Sequence, residues 1–103
     1  MDTHMHLISQ KALTEFWKVH SAAEAPLRNW SRAIRRGTFT NLVELKASFG
    51  PVDYAPIAPR GLHVFNIGGN KYRLITSIRF DKQRIYIRNI LTHADYSKGD
   101  WKK

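Results

Sequence analysis

A chain of 103 residues with 43% hydrophobic and 12% aromatic side chains has enough apolar surface for one packed domain, which excludes a disordered tail and a multidomain protein. It has no cysteine, no apolar run long enough to span a membrane and no secretory signal, so we expect a cytoplasmic protein without disulfides, thiolate chemistry or a membrane partner. The formal net charge of +9 is concentrated towards the C-terminus: residues 1–59 hold seven basic and five acidic side chains, and residues 60–103 hold ten basic and three acidic ones. Such a field attracts nucleic acid, an anionic membrane or an acidic protein, and the lack of a basic amphipathic helix favours nucleic acid.

An opening strand and a first helix are predicted at the N-terminus. Residues 5–9 form an apolar run that indicates a strand. Met1 and Met5 are alternative starts, and a start at Met5 would make residues 1–4 a dispensable extension. Leu13, Phe16 and Trp17 then recur with helical spacing. This spacing places three large apolar groups on one stripe of a helix of about three turns.

A second helix is predicted to follow. The Ser-x-x-Glu pattern that begins at Ser21 is typical of a helix start, and Gly37 is expected to end the helix. Four of its residues form the predicted buried stripe, namely Leu27, Trp30, Ala33 and Ile34. Its outer face carries four arginines that we interpret as solvated surface, namely Arg28, Arg32, Arg35 and Arg36. The two helices are expected to form an antiparallel hairpin.

A third, short helix and a loop are predicted next. Asn41 and Glu44 have the spacing of a capping pair, and the helix they start is expected to run through Phe49, before Gly50 and Pro51. The proline-containing residues 52–61 are predicted to form a loop.

The remaining residues change to the alternating period of strands. Three antiparallel strands are predicted, at residues 62–67, 72–80 and 85–91, with turns at 68–70 and 81–83. Thr92 is expected to cap a last helical turn before a basic tail at 97–103. The predicted fold class is therefore α+β, a small antiparallel sheet packed against two N-terminal helices in the order β-α-α-short α-β-β-β. The face of the sheet away from the helices is expected to be open, with Arg73 and Arg79 both on it.

Four segments of the sequence resemble the HigB toxins of the RelE-like superfamily in the same order and at the same spacing. They are MHLIS at residues 5–9, VFNIGGNKYRLI at 64–75, IR at 87–88 and THADY at 92–96. The resemblance implies a single RelE-like domain over residues 1–103. The tail that ends in Trp101, Lys102 and Lys103 is not part of the shared pattern.

The resemblance also implies an activity and a partner. HigB toxins cut messenger RNA, often while it is bound to the ribosome, and a cognate HigA-like helix-turn-helix antitoxin neutralises them. The family pattern has an arginine in the strand after the Gly-Gly-Asn turn, which falls here on Arg73. It has a histidine after the last strand and an aromatic residue three positions later, which fall here on His93 and Tyr96.

RNA cleavage of this kind needs no metal or other cofactor, because the 2′-OH of the substrate can attack the adjacent phosphorus. The protein then supplies a base, cations for the phosphorane oxygens and an acid for the leaving 5′-oxygen. We assign the phosphate contact to Arg73, the general base or acid to His93, and either the second proton transfer or base stacking to Tyr96. Four further basic residues are predicted to bind RNA, namely Arg60, Lys71, Arg79 and Arg88.

Two other functions fit the same sequence. A non-catalytic RNA- or ribosome-binding module would use the same basic face to hold RNA without cutting it. A protein-interaction module would use that face to receive an acidic partner. Salt dependence does not separate the nuclease from the RNA-binding module, because both release counterions from phosphate. Only turnover distinguishes them.

Overall fold

A computed structural model describes residues 4–57 and 60–102. It contains four α-helices in that part of the chain: α1 at Gln10–Val19, α2 at Glu24–Arg36, α3 at Leu42–Phe49 and α4 at His93–Ser97. The strands are β1 at His6–Ile8, β2 at Val52–Ala55, β3 at Leu62–Ile67, β4 at Tyr72–Arg79 and β5 at Arg84–Thr92. Three short 3₁₀ turns complete the described elements, at Ser21–Ala23, Phe80–Lys82 and Asp100–Lys102.

The strands form one mixed sheet in the order β1-β5-β4-β3-β2. β1 runs parallel to β5, and all other neighbours are antiparallel. The predicted α+β class and three-strand meander are confirmed, with β1 as an additional parallel edge. Three predictions fall partly outside the described residues: the N-terminal extension at residues 1–3, the loop at 58–59 and the tail at Lys103.

The prediction of a loop over residues 52–61 is wrong for Val52–Ala55, which form β2. This strand pairs with β3 along one side only, from Val52 opposite Phe65 to Ala55 opposite Leu62. An edge strand tolerates flanking prolines because its outer N–H groups need no partner in the sheet. The pairing with β3 and the burial of Val52 stabilise a strand that the local sequence does not predict.

The start of the second helix also differs from the prediction. Residues Ser21–Ala23 form a 3₁₀ turn, α2 begins at Glu24, and no side chain in residues 4–57 and 60–102 caps its first turn. The Glu24 carboxylate instead accepts a hydrogen bond of 2.7 Å from Arg28 Nε, one turn along the helix. It is therefore engaged by a side chain and not by the backbone N–H that a capping box would supply.

The main core lies between the helices and one face of the sheet. Leu27 and Ile34 of α2 are fully buried there, as predicted, whereas Ala33 is exposed because it lies about 100° around the helix from Ile34. The ring of Trp30 meets that of Phe65 in β3 edge-on, with their centroids 5.3 Å apart. Asn41 caps α3 as predicted, since its side chain accepts a hydrogen bond of 3.0 Å from the Glu44 N–H.

The opposite face of the sheet was expected to be open, and this expectation is wrong for its central part. Leu62, Val64 and Ile75 are buried on that face in a second small core. Tyr96 of α4 and Trp101 of the last 3₁₀ turn pack against them. The C-terminal residues therefore fold back over the sheet and divide this face into a covered region and an exposed remainder.

No helix in the part of the chain that the structure describes is both long and apolar enough to cross a membrane.

Candidate nucleic-acid interface

Arg73 lies in β4, just after the tight turn that joins β3 to β4. Gly68 and Gly69 adopt positive φ angles of 62° and 68°, which turns the chain sharply enough to bring Asn70 back towards the arginine. Arg73 Nη1 donates to the Asn70 and Tyr72 carbonyl oxygens at 3.2 and 3.1 Å, and Nη2 donates to Asn70 Oδ1. The side chain is thereby fixed by the turn that precedes it.

The expectation that Arg73 lies on an open face is wrong. Only 7% of its surface is exposed, because the strand pairs it with Asn66 and Leu91 and the C-terminal helix packs close by. A guanidinium has five N–H groups, of which three are used by the turn. Within the described ranges no hydrogen bond uses its Nε–H or the second Nη2–H, so these two N–H groups have no partner there.

Tyr96 is the direct neighbour of Arg73. The guanidinium carbon lies 5.4 Å from the centroid of the Tyr96 ring. The ring also stacks on Trp101, with centroids 5.0 Å apart and planes 13° apart, and Trp101 Nε1 donates to the Tyr96 carbonyl oxygen at 3.0 Å. Sequence reasoning missed Trp101, because it falls in a tail whose only distinguishing signal is an aromatic residue among lysines.

Partial burial raises the pKa of the Tyr96 phenol above its ordinary value of 10.0. The Asp53 carboxylate raises this pKa further, and the positive charge of Arg73 acts in the opposite direction. The phenol therefore carries its proton throughout the neutral range. In that form it can donate a proton or a hydrogen bond, but it cannot act as a base.

His93 begins α4 and lies at the same end of the sheet. Its N–H donates to the Lys71 carbonyl oxygen at 2.9 Å, which ties the helix to the turn that fixes Arg73. Thr92 caps the helix as predicted, since its hydroxyl accepts a hydrogen bond of 3.2 Å from the Asp95 N–H. His93 and Tyr96 are three residues apart on this helix, a spacing at which side chains are neighbours. The imidazole is exposed, as is the Lys71 side chain.

The other predicted RNA-binding residues lie apart from this group. Arg79 shares the face of β4 with Arg73 but is six residues away, or about 20 Å along the strand. It is already engaged, because its guanidinium forms two hydrogen bonds to the Asp81 carboxylate at 3.1 and 2.9 Å. Arg60 is exposed beyond β2, and its carbonyl oxygen accepts a hydrogen bond of 3.3 Å from the Tyr54 hydroxyl.

Arg88 lies at an irregularity in the sheet. Ile75 pairs with Asn89, whereas Thr76 pairs with Ile87, so Arg88 is an extra residue in β5. It lines a shallow cleft beside Phe16 and His20 of α1. Strand alternation in the sequence could not reveal this extra residue. As RNA contacts, Arg60, Lys71, Arg79 and Arg88 remain predictions.

A cleft of about 460 Å³ lies between β2 and the C-terminal residues, next to Tyr96. Its lining includes Asp53, Ile57, Val64 and Trp101. Sequence reasoning missed Asp53 because that residue was placed in a loop. In the described part of the chain, no three histidine, aspartate or glutamate side chains are close enough together to hold a metal ion.

The sequence is similar to one family of known proteins. The sequence model of the HigB toxins, described as the RelE-like toxic component of a toxin–antitoxin system, matches residues 23–99. The chain is 35% identical over 92 residues to an mRNA interferase toxin HigB of Escherichia coli (strain K12), which covers 89% of this chain and 88% of the relative. An mRNA interferase HigB of Escherichia coli O6:H1 is 28% identical over 94 residues, or 91% of this chain and 90% of the relative. The family match includes Arg73, His93 and Tyr96 and ends before Trp101.

Proposed function

Because this chain belongs to the HigB family of RelE-like toxic components of toxin–antitoxin systems, we propose that it is an endoribonuclease that cuts messenger RNA. The observation that carries the proposal is the arrangement at the start of β4. A buried, immobilised arginine retains two free N–H groups there, against a protonated tyrosine and close to the start of the helix that bears an exposed histidine.

Arg73 has the geometry required for an anion contact. The turn uses the N–H groups of Nη1 and one of Nη2, which leaves Nε–H and one Nη2–H for the oxygens of a phosphate. A guanidinium that is held in place before the substrate arrives needs no reorganisation as charge develops on the phosphorane. Arg73 is thus the residue proposed to stabilise the transition state.

The two proton transfers are assigned to His93 and Tyr96. His93 removes the proton from the 2′-OH, whose oxygen attacks the adjacent phosphorus. The P–O5′ bond breaks, and Tyr96 gives its proton to the departing 5′-oxygen. The products are a 2′,3′-cyclic phosphate and a 5′-hydroxyl. The phenol of Tyr96 is protonated at neutral pH, as a general acid must be before the transfer.

The partners follow from the same proposal. Messenger RNA on the ribosome is the proposed substrate, in the cytoplasm, and Lys71 and Arg60 are proposed to hold phosphates on either side of the cut. Arg79 and Arg88 would contact RNA further from the reacting phosphate, because both lie away from Arg73. A HigA-like helix-turn-helix protein is the proposed antitoxin.

The test is induction of the protein in bacteria, followed by primer extension on an abundant transcript with and without active translation. The parent should stop growth and create new RNA 5′-ends, and His93→Ala and Arg73→Lys should create none. Arg35→Lys is the matched control, because Arg35 is exposed on the outer face of α2, and it should cut like the parent. Loss of the cuts when translation is blocked would place the reaction on the ribosome. A stably expressed parent that creates no new ends would overturn the proposal in favour of an RNA-binding module.

A further inference from the structure

The cleft beside Tyr96 has the lining of a site for a single RNA base. Val64 and Ile57 are apolar, and Tyr96 and Trp101 add aromatic surface. Unpaired RNA bases are recognised in slots of this kind, where one face of the base packs on an apolar or aromatic side chain. Lys102 Nζ lies 5.6 Å from the centroid of the Trp101 ring, and an exposed lysine at this distance is weakly held and can yield to a base.

An acidic residue at this position is unexpected in a protein that binds phosphates. Asp53 lines the cleft and is close enough to Tyr96 to raise the pKa of its phenol. Among residues 4–57 and 60–102, no hydrogen bond or ion pair engages its carboxylate. An unpaired carboxylate repels the RNA backbone, so it weakens binding in general. It can strengthen binding only to a group that donates hydrogen bonds.

We propose that this cleft binds one base next to the cleaved phosphate and that Asp53 accepts a hydrogen bond from an exocyclic amino group of that base. The inference rests on the proposed nuclease function, because it places the base beside the Arg73–Tyr96 pair. Adenine, cytosine and guanine carry such an amino group on their Watson–Crick edge. Uracil has carbonyl oxygens at both of its exocyclic positions, and its one Watson–Crick donor, N3–H, lies between them, so a carboxylate that accepts from N3–H also faces these two oxygens. Asp53 is thus a residue that determines specificity, and the base that it excludes is uracil.

The position of Asp53 supports this role. It is held in β2 by the pairing of that strand with β3, opposite Val64, so its carboxylate is placed by the sheet and not by a flexible loop. Trp101 lies outside the residues that the family model matches. The wall of the cleft that it provides is therefore a feature of this chain beyond the matched family pattern.

The first experiment maps new RNA 5′-ends across many transcripts after induction of the parent, Asp53→Asn and Glu15→Gln. Glu15 is an exposed residue of α1, so its variant changes the net charge equally without touching the cleft. One fixed position next to the cut should be depleted of uracil about tenfold in the parent, the discrimination that a hydrogen bond to a charged group provides. Asp53→Asn should cut but lose the depletion, and Glu15→Gln should match the parent. Equal depletion in the parent and Asp53→Asn, or none in the parent, would overturn the inference.

A second measurement separates this inference from the nuclease proposal. Short RNAs that differ only at that position, with a 2′-deoxy nucleotide at the cut so that they stay intact, are titrated against the purified full chain. The parent should bind the uracil variant about tenfold more weakly than the others, and Asp53→Asn should bind all four alike. If the parent shows this difference in affinity but cuts no RNA, the base site is supported and the nuclease proposal is rejected. If the parent cuts RNA but binds all four RNAs with equal affinity, the nuclease proposal is supported and the base site is rejected.

Discussion

The burial of Arg73 gives one side chain two roles. Its hydrogen bonds to Asn70 and Tyr72 satisfy backbone carbonyl oxygens at the β3–β4 turn, and its remaining N–H groups are available to a substrate. On an open face of the sheet, as predicted from the sequence, Arg73 could be replaced by alanine without effect on the fold. The structure changes that expectation, because removing the guanidinium leaves carbonyl oxygens without their donor.

We therefore expect Arg73→Ala to lower the free energy of unfolding by about 1–3 kcal/mol as well as to abolish cleavage. Arg73→Lys keeps the charge but not the planar fork, so it should be destabilised less and still lose at least about 10²-fold in cleavage rate. Urea titrations measure the loss of stability. Cleavage assays at urea concentrations below the unfolding midpoint of each variant measure the loss of activity in folded protein. An alanine variant as stable as the parent would contradict the contribution of Arg73 to the fold.

His63 is a buried histidine in β3, only 7% exposed, whose ring lies 5.2 Å from that of Tyr54 and 5.5 Å from that of Phe80. Its Nδ1 has no hydrogen-bond partner among the residues that the structure describes. Burial lowers the pKa of His63 below its ordinary value of 6.5, because a charged imidazole would lose its hydration there. The unfolded chain consequently takes up this proton at a higher pH than the folded protein does.

Because the pKa of His63 is lower in the folded protein than in the unfolded chain, we expect the free energy of unfolding to fall as the pH is lowered from 6.5 towards the pKa of the folded state. This group contributes at most about 1.4 kcal/mol per pH unit to that loss. Above pH 6.5 the group makes no pH-dependent contribution. His63→Phe should remove this part of the acid loss while keeping the aromatic contacts. Urea titrations at pH 7.5 and 5.5 for the parent and His63→Phe test whether His63 causes the loss of stability in acid. His93→Ala, which removes an exposed histidine, is the control. Equal acid losses in the parent and His63→Phe would reject this origin.

The short helix α4 carries two of the three proposed catalytic side chains, yet it has only five residues. A helix of this length is not stable alone and depends on its ends and its packing. Its first turn is capped by Thr92 and joined to Lys71 by a backbone hydrogen bond, and the stack of Tyr96 on Trp101 holds its last turn. The cap therefore acts on catalysis through the positions of His93 and Tyr96.

Thr92→Ala should remove about 1 kcal/mol from the stability of this helix and lower the cleavage rate several-fold, while leaving RNA affinity close to that of the parent. Thr92→Ser keeps the capping oxygen and should cut at nearly the parent rate. Single-turnover cleavage, with hydrogen exchange at residues 93–97, tests both expectations. Thr92 is not a positioning residue if Thr92→Ala cuts as fast as Thr92→Ser.

At the scale of the molecule, basic residues lie both around the start of β4 and α4 and on the outer face of α2. Arg28 on α2 is paired with Glu24 and lies 4.8 Å from the Trp17 ring, whereas Arg32, Arg35 and Arg36 are exposed beside a cleft between α1 and α2. The sheet and the main core separate this helix face from Arg73.

If RNA binds only at the surface around Arg73, neutralising a charge there should reduce the salt dependence of binding. Lys71→Gln should lower the slope of log affinity against log salt by about 0.7, the value for one phosphate contact on a single strand. Arg35→Gln makes the same change in net charge on α2 and should leave the slope unchanged. Affinities of an uncleavable RNA at several salt concentrations provide the comparison. An equal loss of slope in Arg35→Gln would show that α2 also contacts RNA.

Local sequence patterns were sufficient for the elements that local interactions stabilise. The Asn41 cap of α3, the glycine turn at Gly68 and Gly69 and the Thr92 cap each depend on residues only a few positions apart, so they can be read from the chain. The resemblance of the motifs then indicated Arg73, His93 and Tyr96, which the structure places at one end of the sheet.

Contacts between distant parts of the chain determined the rest. β2 forms because it pairs with the edge of β3, and Arg88 has no partner in β4 because β5 contains one extra residue. Arg73 is buried because the C-terminal residues fold over its face of the sheet. The periodicity of a strand fixes which residues share a face while the pairing is regular, but it cannot say what covers that face. Burial depends on a segment distant in sequence. The identities of the candidate catalytic residues could therefore be predicted from the sequence. The burial of Arg73 and the cleft at Asp53 could not, because both depend on tertiary contacts between β2, β4 and the C-terminal residues.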